Sequence, residues 1–173
     1  MRLTISATPS NRRRVHCLAL LAAFTLAFAP QLAGAAKQVP FRAAFTTEFE
    51  SAVEFPIAHI SVIGEGRALH MGATTAVTTD QEVNLITGEA TATYTLTAAN
   101  GDNIVLVLEF LVTFLSDVLL TFEGSYIVAG GTGRFAGATG SGLVSGSATF
   151  TGQSNGIGSF TVAGTISSPG SLN

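Results

Sequence analysis

The chain has 173 residues, of which 47% are hydrophobic and only 11% are charged. From residue 37 onward, four basic residues stand against eleven acidic ones, a formal charge of −7. A domain so poor in cations has no basic stripe with which to neutralise phosphates, so we expect no nucleic-acid partner and no affinity for anionic lipid surfaces.

The first 36 residues are organised like a secretory signal peptide. Arg12–Arg14 form a positive segment, and the apolar run that follows, residues 17–29, is too short to span a bilayer. Ala33–Ala35 matches the small-residue pattern before a signal-peptidase cleavage site. A twin-arginine signal or lipidation of Cys17 fits these residues less well. We therefore expect a signal peptide at 1–36, a secreted or periplasmic domain at 37–173, and no membrane attachment after cleavage.

The single cysteine of the chain, Cys17, lies within this signal segment. The mature domain is then free of cysteine, although it is expected to enter an oxidising compartment. Disulfides, thiol catalysis and thiolate metal sites are excluded for it. Its stability must come from an apolar core and a hydrogen-bonded sheet.

Alternation of apolar and polar residues with a period of two runs through residues 37–173, and no segment has helical periodicity. The clearest case is 90–98, where alanine, tyrosine and leucine at the even positions alternate with threonine at the odd ones. The pattern predicts an all-β domain of eight strands. These strands are expected near 39–49, 57–69, 73–86, 89–99, 103–115, 118–129, 140–151 and 157–166.

Short turn sequences separate the predicted strands. They are Thr87-Gly88, Asn100-Gly101, Ser116-Asp117 and Asn155-Gly156, and Asn-Gly is the strongest short hairpin signal. Strands joined so tightly must be antiparallel neighbours, and an eight-stranded meander protects its edges best by closing on itself. We predict a closed antiparallel barrel, whose interior is filled by side chains or holds one small ligand.

One predicted strand, residues 104–112, is apolar on both faces. A barrel strand has one face inside and one outside, so the outer face is expected to be covered by a second copy of the chain or by a terminal segment. Glu109 lies in this run. It is a candidate general acid if it is desolvated, or else a surface or interface residue paired with Arg134 or Arg67.

Four further side chains are candidates for a site. Tyr94 and Tyr126 fall on inner faces, where they either orient a ligand oxygen or belong to the core. His59 and His70 are weaker catalytic candidates. Together with Glu65, the two histidines would form a metal site only if the three side chains lay close together in the fold, and their spacing in the sequence does not require this. We predict no metal, no cofactor and no identified catalytic residue.

A glycine-rich stretch follows the sixth predicted strand. It lacks the Gly-Lys-Ser/Thr ending of a phosphate-binding loop, and no helix follows it, so a tight structural corner is the better interpretation. In such a corner Arg134 would pair with a carboxylate or cap carbonyls, and Phe135 would plug one end of the barrel. The motif consists of Gly130, Gly131, Gly133, Arg134, Phe135, Gly137 and Gly140.

Residues 126–129 running into this motif resemble the hallmark of the allene oxide cyclase and dirigent protein families. The resemblance covers roughly 40–167 and extends to bacterial exported barrels, with further similar stretches at 64–72 and 96–102. It implies a calycin-like barrel, typically a trimer, that binds apolar substrates in its interior and steers cyclisation or radical coupling without a cofactor. No catalytic residue of those families aligns here.

The sequence is consistent with three functions. The first is an exported barrel that binds a small apolar molecule, and the second is a cofactor-free cyclase or isomerase. The third is a structural or interaction protein with a filled barrel. A cavity would argue against the third, and an acid or base facing that cavity would favour the second over the first.

Overall fold

A computed structural model describes residues 36–170, which form a barrel of eight antiparallel strands. The signal-peptide prediction, except for its last residue, lies outside the described residues. Within 36–170, no helix is long and apolar enough to cross a membrane. The strands are β1 Gln38–Glu54, β2 Ile57–Ala68, β3 Gly72–Asn84, β4 Glu89–Ala98, β5 Asn103–Phe114, β6 Leu119–Gly131, β7 Gly140–Phe150 and β8 Asn155–Ser167.

Every strand pairs with its neighbours in the chain, and β1 pairs with β8 to close the sheet. The closing ladder runs from Gln38 opposite Ser167 to Glu50 opposite Asn155. The predicted all-β, eight-stranded, closed antiparallel barrel is confirmed. Closure leaves no free edge, which explains how a sheet of long, apolar strands avoids edge-to-edge association without disulfides.

The period-two pattern places the apolar side chains inside the barrel. On β4, the even residues from Ala90 to Ala98 are buried, while the threonines between them face outward. Burying one large aliphatic or aromatic side chain contributes about 1.5–3 kcal/mol, so this inner face supplies most of the driving force for folding. The largest fully buried side chains are Tyr126, Phe41, Phe135, Leu96, Ile104, Leu106, Leu108, Ile166, Val144 and Val162.

A β-bulge in β3 reverses which residues face inward. Thr78 is buried, but beyond the bulge the odd positions Gln81 and Val83 point inward instead. The carboxylate of Asp80 holds the bulge, since it accepts hydrogen bonds from the Thr78 hydroxyl at 2.6 Å and from the backbone N–H of Thr93 at 3.0 Å. The bulge thereby turns a polar amide toward the barrel interior.

The sequence-based assignment of Asn155-Gly156 as a turn is wrong, because both residues begin β8. The β7–β8 turn is formed by residues 151–154 instead. Gly156 is needed for close approach inside the barrel, since a Cβ there would lie 2.6 Å from the ring of Phe49. Glycine in a strand can mark such an approach as well as a turn, and the sequence alone did not separate the two.

The glycine-rich motif closes one end of the barrel, hereafter the closed end. It forms a short 3-10 turn, Gly133–Phe135, that inserts the Phe135 ring into the core. Gly133 and Gly137 adopt positive φ angles of 56° and 68°, which glycine accepts without strain. Arg134 pairs with Asp102 at 3.4 Å and stacks over the Phe135 ring. The predictions of a glycine corner and of an aromatic plug are confirmed.

Candidate functional site

The other end of the barrel, hereafter the open end, leads into a cavity of about 420 Å³. This volume lies within the range of about 300–1,000 Å³ usual for small-molecule sites. The open end is where the β1–β2, β3–β4, β5–β6 and β7–β8 connections lie, because alternate connections of a meander share an end. Each of these connections is short, and three of them contribute residues to the cavity lining: Leu85, Asp117, Val118, Gly152 and Gln153.

Aromatic and aliphatic side chains form most of the cavity wall. Phe49 contacts Phe150 edge-on with ring centroids 5.1 Å apart, and Phe110 lies against Phe122 at 5.3 Å. Such pairs hold their rings in fixed orientations and contribute about 0.5–1.5 kcal/mol beyond simple burial. The small side chains Ala58 and Ala148 also line the wall, and their size leaves the space that larger residues would fill.

Tyr94 and Gln81 form a hydrogen-bonded polar pair in this wall. The Tyr94 hydroxyl donates to Oε1 of Gln81 at 3.0 Å, and the Tyr94 ring packs against Phe160. Burial, and then the negative charge of Asp80, raise the pKa of Tyr94 well above its ordinary value. The phenol therefore stays protonated at neutral pH and acts as a hydrogen-bond donor.

The carboxyl group of Asp80 supports this pair from the bulge. Partial burial acts to raise the pKa of Asp80, but the hydrogen bonds from Thr78 and Thr93 outweigh it, and the pKa lies below its ordinary value of 3.8. Asp80 is consequently ionised at neutral pH. It holds the backbone geometry that points Gln81 inward.

Tyr126 lies inside the barrel as predicted but does not line the open cavity. Its side chain packs over Gly142 and Gly164, where added Cβ atoms would each lie 2.7 Å from the phenol, and its ring meets Phe41 edge-on. The residue is only 1% exposed, and its hydroxyl has no hydrogen-bond partner within residues 36–170. Burial raises the pKa of Tyr126 to about 12. A ligand-binding role for either tyrosine stays a prediction.

The three candidate catalytic residues lie away from the cavity. Glu109 is on the outer face of β5 and exposed to solvent. His59 is on the outer face of β2, with Nδ1 3.5 Å from a carboxylate oxygen of Glu82. His70 is in the closed-end turn after β2, where its Nε2 lies 3.0 Å from the carbonyl oxygen of Pro40. Their catalytic roles stay untested, but none of them lines the cavity.

The structure separates two pairs of side chains that the sequence analysis considered together. The pairing of Glu109 with Arg134 is wrong, because Arg134 is bound to Asp102 at the closed end. His59 and His70 lie near opposite ends of β2, so they do not converge. Over the described part of the chain, no three histidine, cysteine or carboxylate side chains are grouped as metal ligands.

The outer face of β5 carries part of an exposed apolar surface. Val105 and Val107 are half-buried, whereas Leu111 on β5, Ile127 on β6 and Leu143 on β7 are more than half exposed. No segment within residues 36–170 lies over these side chains. The alternative in which a terminal segment covers β5 is therefore not seen in the described chain.

Sequence reasoning missed two features of this site. It did not find Gln81, because only the bulge before it turns the amide inward. It also missed the exposed apolar residues around the mouth, such as Phe55, which lies between two predicted strands, and Ile86, the last residue of a predicted strand. A signal was present in both cases: the polar run at 79–82 interrupts an alternating strand, and large apolar residues occupy hairpin turns.

The chain is similar in structure to a pterocarpan synthase dirigent protein, with a TM-score of 0.49 and 12% sequence identity over 79% of this chain and 90% of that one. No protein-family model matches the chain, and no curated protein matches it either. A likeness at this level concerns the fold and says nothing about activity. The resemblance to allene oxide cyclases and to bacterial exported barrels stays a prediction.

Proposed function

We propose that this protein binds one small, neutral, largely apolar molecule in the open-ended cavity of its barrel and carries it outside the cytoplasm. The observation that supports the proposal is the cavity itself, an apolar space of about 420 Å³ open at one end. A barrel filled by its own side chains would leave no such space, so the cavity argues against a purely structural role.

The wall chemistry indicates what the ligand is like. Among residues 36–170, no lysine, arginine or histidine lines the cavity, and Asp117 is the one carboxylic acid in the lining. An anionic ligand group buried here would lack a partner among the described residues, and a cationic group would have only the exposed Asp117 at the mouth, so a charged group deep in the cavity would be strongly disfavoured. The Tyr94–Gln81 pair offers hydrogen bonds to one neutral oxygen, such as a carbonyl or hydroxyl group.

The positions of the ionisable side chains favour binding over acid–base catalysis. A cyclase or isomerase of this kind would need a proton donor or acceptor within hydrogen-bond reach of the ligand. Glu109, His59 and His70 lie outside the cavity, and the Tyr94 phenol holds its proton tightly. Asp117 does line the cavity, but it is exposed in the β5–β6 turn at the mouth and does not lie beside the Tyr94–Gln81 pair along the chain. The carrier hypothesis is therefore preferred to the enzyme hypothesis.

The test combines a lumen-filling variant with a matched surface variant. Ala148→Phe places a benzyl ring in the cavity, whereas Ala44→Phe places the same ring on the exposed outer face of β1. A neutral, environment-sensitive apolar dye is titrated into each protein, and protein purified from its own host is examined by native mass spectrometry. We expect saturable dye binding by the wild type and by Ala44→Phe, and binding weakened at least about tenfold in Ala148→Phe.

Equal dye binding by all three proteins would place the dye outside the cavity and overturn the proposal. Absence of any dye binding, together with a native mass that shows no adduct, would do the same. Circular dichroism of both variants controls for misfolding. If Ala148→Phe does not fold, the smaller change Ala148→Leu takes its place.

We further propose that the chain forms a homo-oligomer through the outer face of β5 and its neighbours. The exposed side chains of Leu111, Ile127 and Leu143 support this, because several large apolar side chains exposed on one face of a domain commonly mark an interface. A trimer is the expected size by resemblance. Sedimentation of a Leu143 variant, described in the Discussion, tests this proposal.

A further inference from the structure

Large apolar side chains crowd the mouth of the cavity. They come from three of the four open-end connections, β1–β2, β3–β4 and β5–β6, or the strand ends beside them, and they point into solvent. The most prominent is Phe55, 74% exposed in the β1–β2 turn, followed by Ile86, 69% exposed in the β3–β4 turn. We define the rim as Val53, Phe55, Ile86, Phe114, Leu115 and Val118.

The rim and the cavity form one continuous apolar surface. Val53, Phe114 and Val118 are each about half or more exposed to solvent and also line the cavity. Phe55, Ile86 and Leu115 extend this surface outward beyond the cavity lining. A molecule leaving the cavity would therefore meet apolar side chains until it reached whatever covers the rim.

The opposite end of the barrel lacks this feature. The described connections at the closed end are 69–71, 99–102 and 132–139. Leu69, 46% exposed, is the one large hydrophobic residue within them that is substantially exposed. Exposed apolar residues scattered singly are normal on a soluble protein. Six of them around one opening are not, and such a patch marks a surface that meets another apolar phase.

The charges of the domain are also divided between its ends. The four cationic residues of the described chain, Lys37, Arg42, Arg67 and Arg134, all lie in the half of the barrel towards the closed end. Acidic residues accompany the rim instead: Glu54 ends β1, Glu89 begins β4, and Asp117 lies in the β5–β6 turn. The open end is thus apolar and negatively charged.

From this distribution we infer that the rim docks on a lipid layer with zwitterionic headgroups, from which the ligand enters the cavity. The inference rests on the proposed function, because an apolar ligand is concentrated in lipid and scarce in water. The rim has no cations to attract anionic lipid, and rim-to-rim pairing of two copies would bring two sets of carboxylates together. Quaternary ammonium headgroups, in contrast, attract those carboxylates while the apolar side chains enter the interface.

This inference revises the expectation of no membrane contact. That expectation rested on charge, which argues only against anionic surfaces. Insertion of loop-tip side chains into a neutral interface depends on apolar area and needs no basic residues. The contact would be peripheral and reversible, because six side chains bury far less apolar area than a spanning segment does.

The test uses the mature protein and phosphatidylcholine vesicles in a flotation assay. The rim variant Phe55→Ser/Leu115→Ser removes two side chains that do not line the cavity, and Leu69→Ser makes the same kind of change at the closed end. We expect the wild type and Leu69→Ser to float with the vesicles, and the rim variant to bind at least about tenfold more weakly. Ala148→Phe should still float while losing its ligand, which separates docking from ligand binding.

Three outcomes would overturn the inference. No flotation of the wild type, with dye binding intact, would refute lipid docking and leave the proposed function standing. Flotation only with anionic vesicles, abolished by salt, would show a charge-driven contact instead. If the wild type self-associates in the absence of lipid and the rim variant does not, the rim is a contact between copies of the chain.

Discussion

The two tyrosines of the barrel allow one prediction in which the same chemical change has opposite effects. Tyr94→Phe and Tyr126→Phe each remove a single buried hydroxyl and leave the ring in place. The Tyr94 hydroxyl donates a hydrogen bond to Gln81 at 3.0 Å. The Tyr126 hydroxyl is buried without a partner in the described chain.

The hydrogen-bonding difference sets the sign and the size of each effect. A neutral hydrogen bond contributes about 0.5–1.5 kcal/mol to stability, so Tyr94→Phe should lower the free energy of unfolding by about 1 kcal/mol. A buried polar group without a partner costs about 1–3 kcal/mol, so Tyr126→Phe should leave stability unchanged or raise it by about 1 kcal/mol. The two variants should therefore differ by about 1–2 kcal/mol.

Urea unfolding, followed by far-ultraviolet circular dichroism on ligand-free protein, measures both changes. Equal slopes of the free energy against urea are required, because a changed slope would mean that more than the native hydrogen bond was altered. A loss of 1 kcal/mol or more in Tyr126→Phe would show that its hydroxyl has a partner and would refute the assignment. If Tyr94→Phe leaves the free energy of unfolding unchanged, the hydrogen bond to Gln81 contributes nothing to stability.

Three other variants test separate parts of the structure. Asp80→Asn should lower the free energy of unfolding at pH 7, because a carboxyl group whose folded pKa lies below 3.8 stabilises the protein when it is ionised. This stability is lost as the pH falls through the folded pKa, so the variant and the wild type should converge in acid. Urea unfolding at pH 7 and pH 3 measures the difference, and a difference independent of pH would contradict the prediction. Gly142→Ala should lower the free energy of unfolding by about 2 kcal/mol, since the new Cβ would lie 2.7 Å from the Tyr126 ring. An unchanged melting temperature in calorimetry would contradict that contact. Leu143→Lys, at a side chain 68% exposed, should convert the oligomer to a monomer in sedimentation without loss of stability, whereas an unchanged sedimentation coefficient would place the interface elsewhere.

The strands of this barrel were largely predictable, because one simple physical rule governs them. Inner positions are mostly apolar and outer ones mostly polar. The predicted ranges agree with the observed strands to within two residues, except that β1 continues five residues beyond its predicted end. The corner at Gly133–Phe135 was predictable for a similar reason, since clustered glycines beside one aromatic residue have few other uses. The turn at Asn155-Gly156 failed because the same dipeptide also permits close packing against Phe49.

The site was much less predictable than the fold. The inward position of Gln81 depends on a bulge held by Asp80, and the register of a bulge is set by the partner strand, not by the local sequence. Glu109 stood in an apolar run whose two faces the sequence could not distinguish, and the structure puts it outside. The rim appears only when the fold brings three separate turns together.

The difference between the two ends of the barrel follows from the lengths of their connections. The β6–β7 connection, residues 132–139, is the longest in the described chain, and it is the one that folds inward to place Phe135 in the core. At the open end, the connections at 55–56, 85–88, 115–118 and 151–154 are too short to cross a barrel of eight strands. Leu85 and Val118, in two of these connections, contribute to the cavity wall, whereas Phe55 and Ile86 stay in solvent. An exposure that no segment of residues 36–170 relieves is best explained by a surface that covers it, and this is why the open cavity and the apolar rim point to one function.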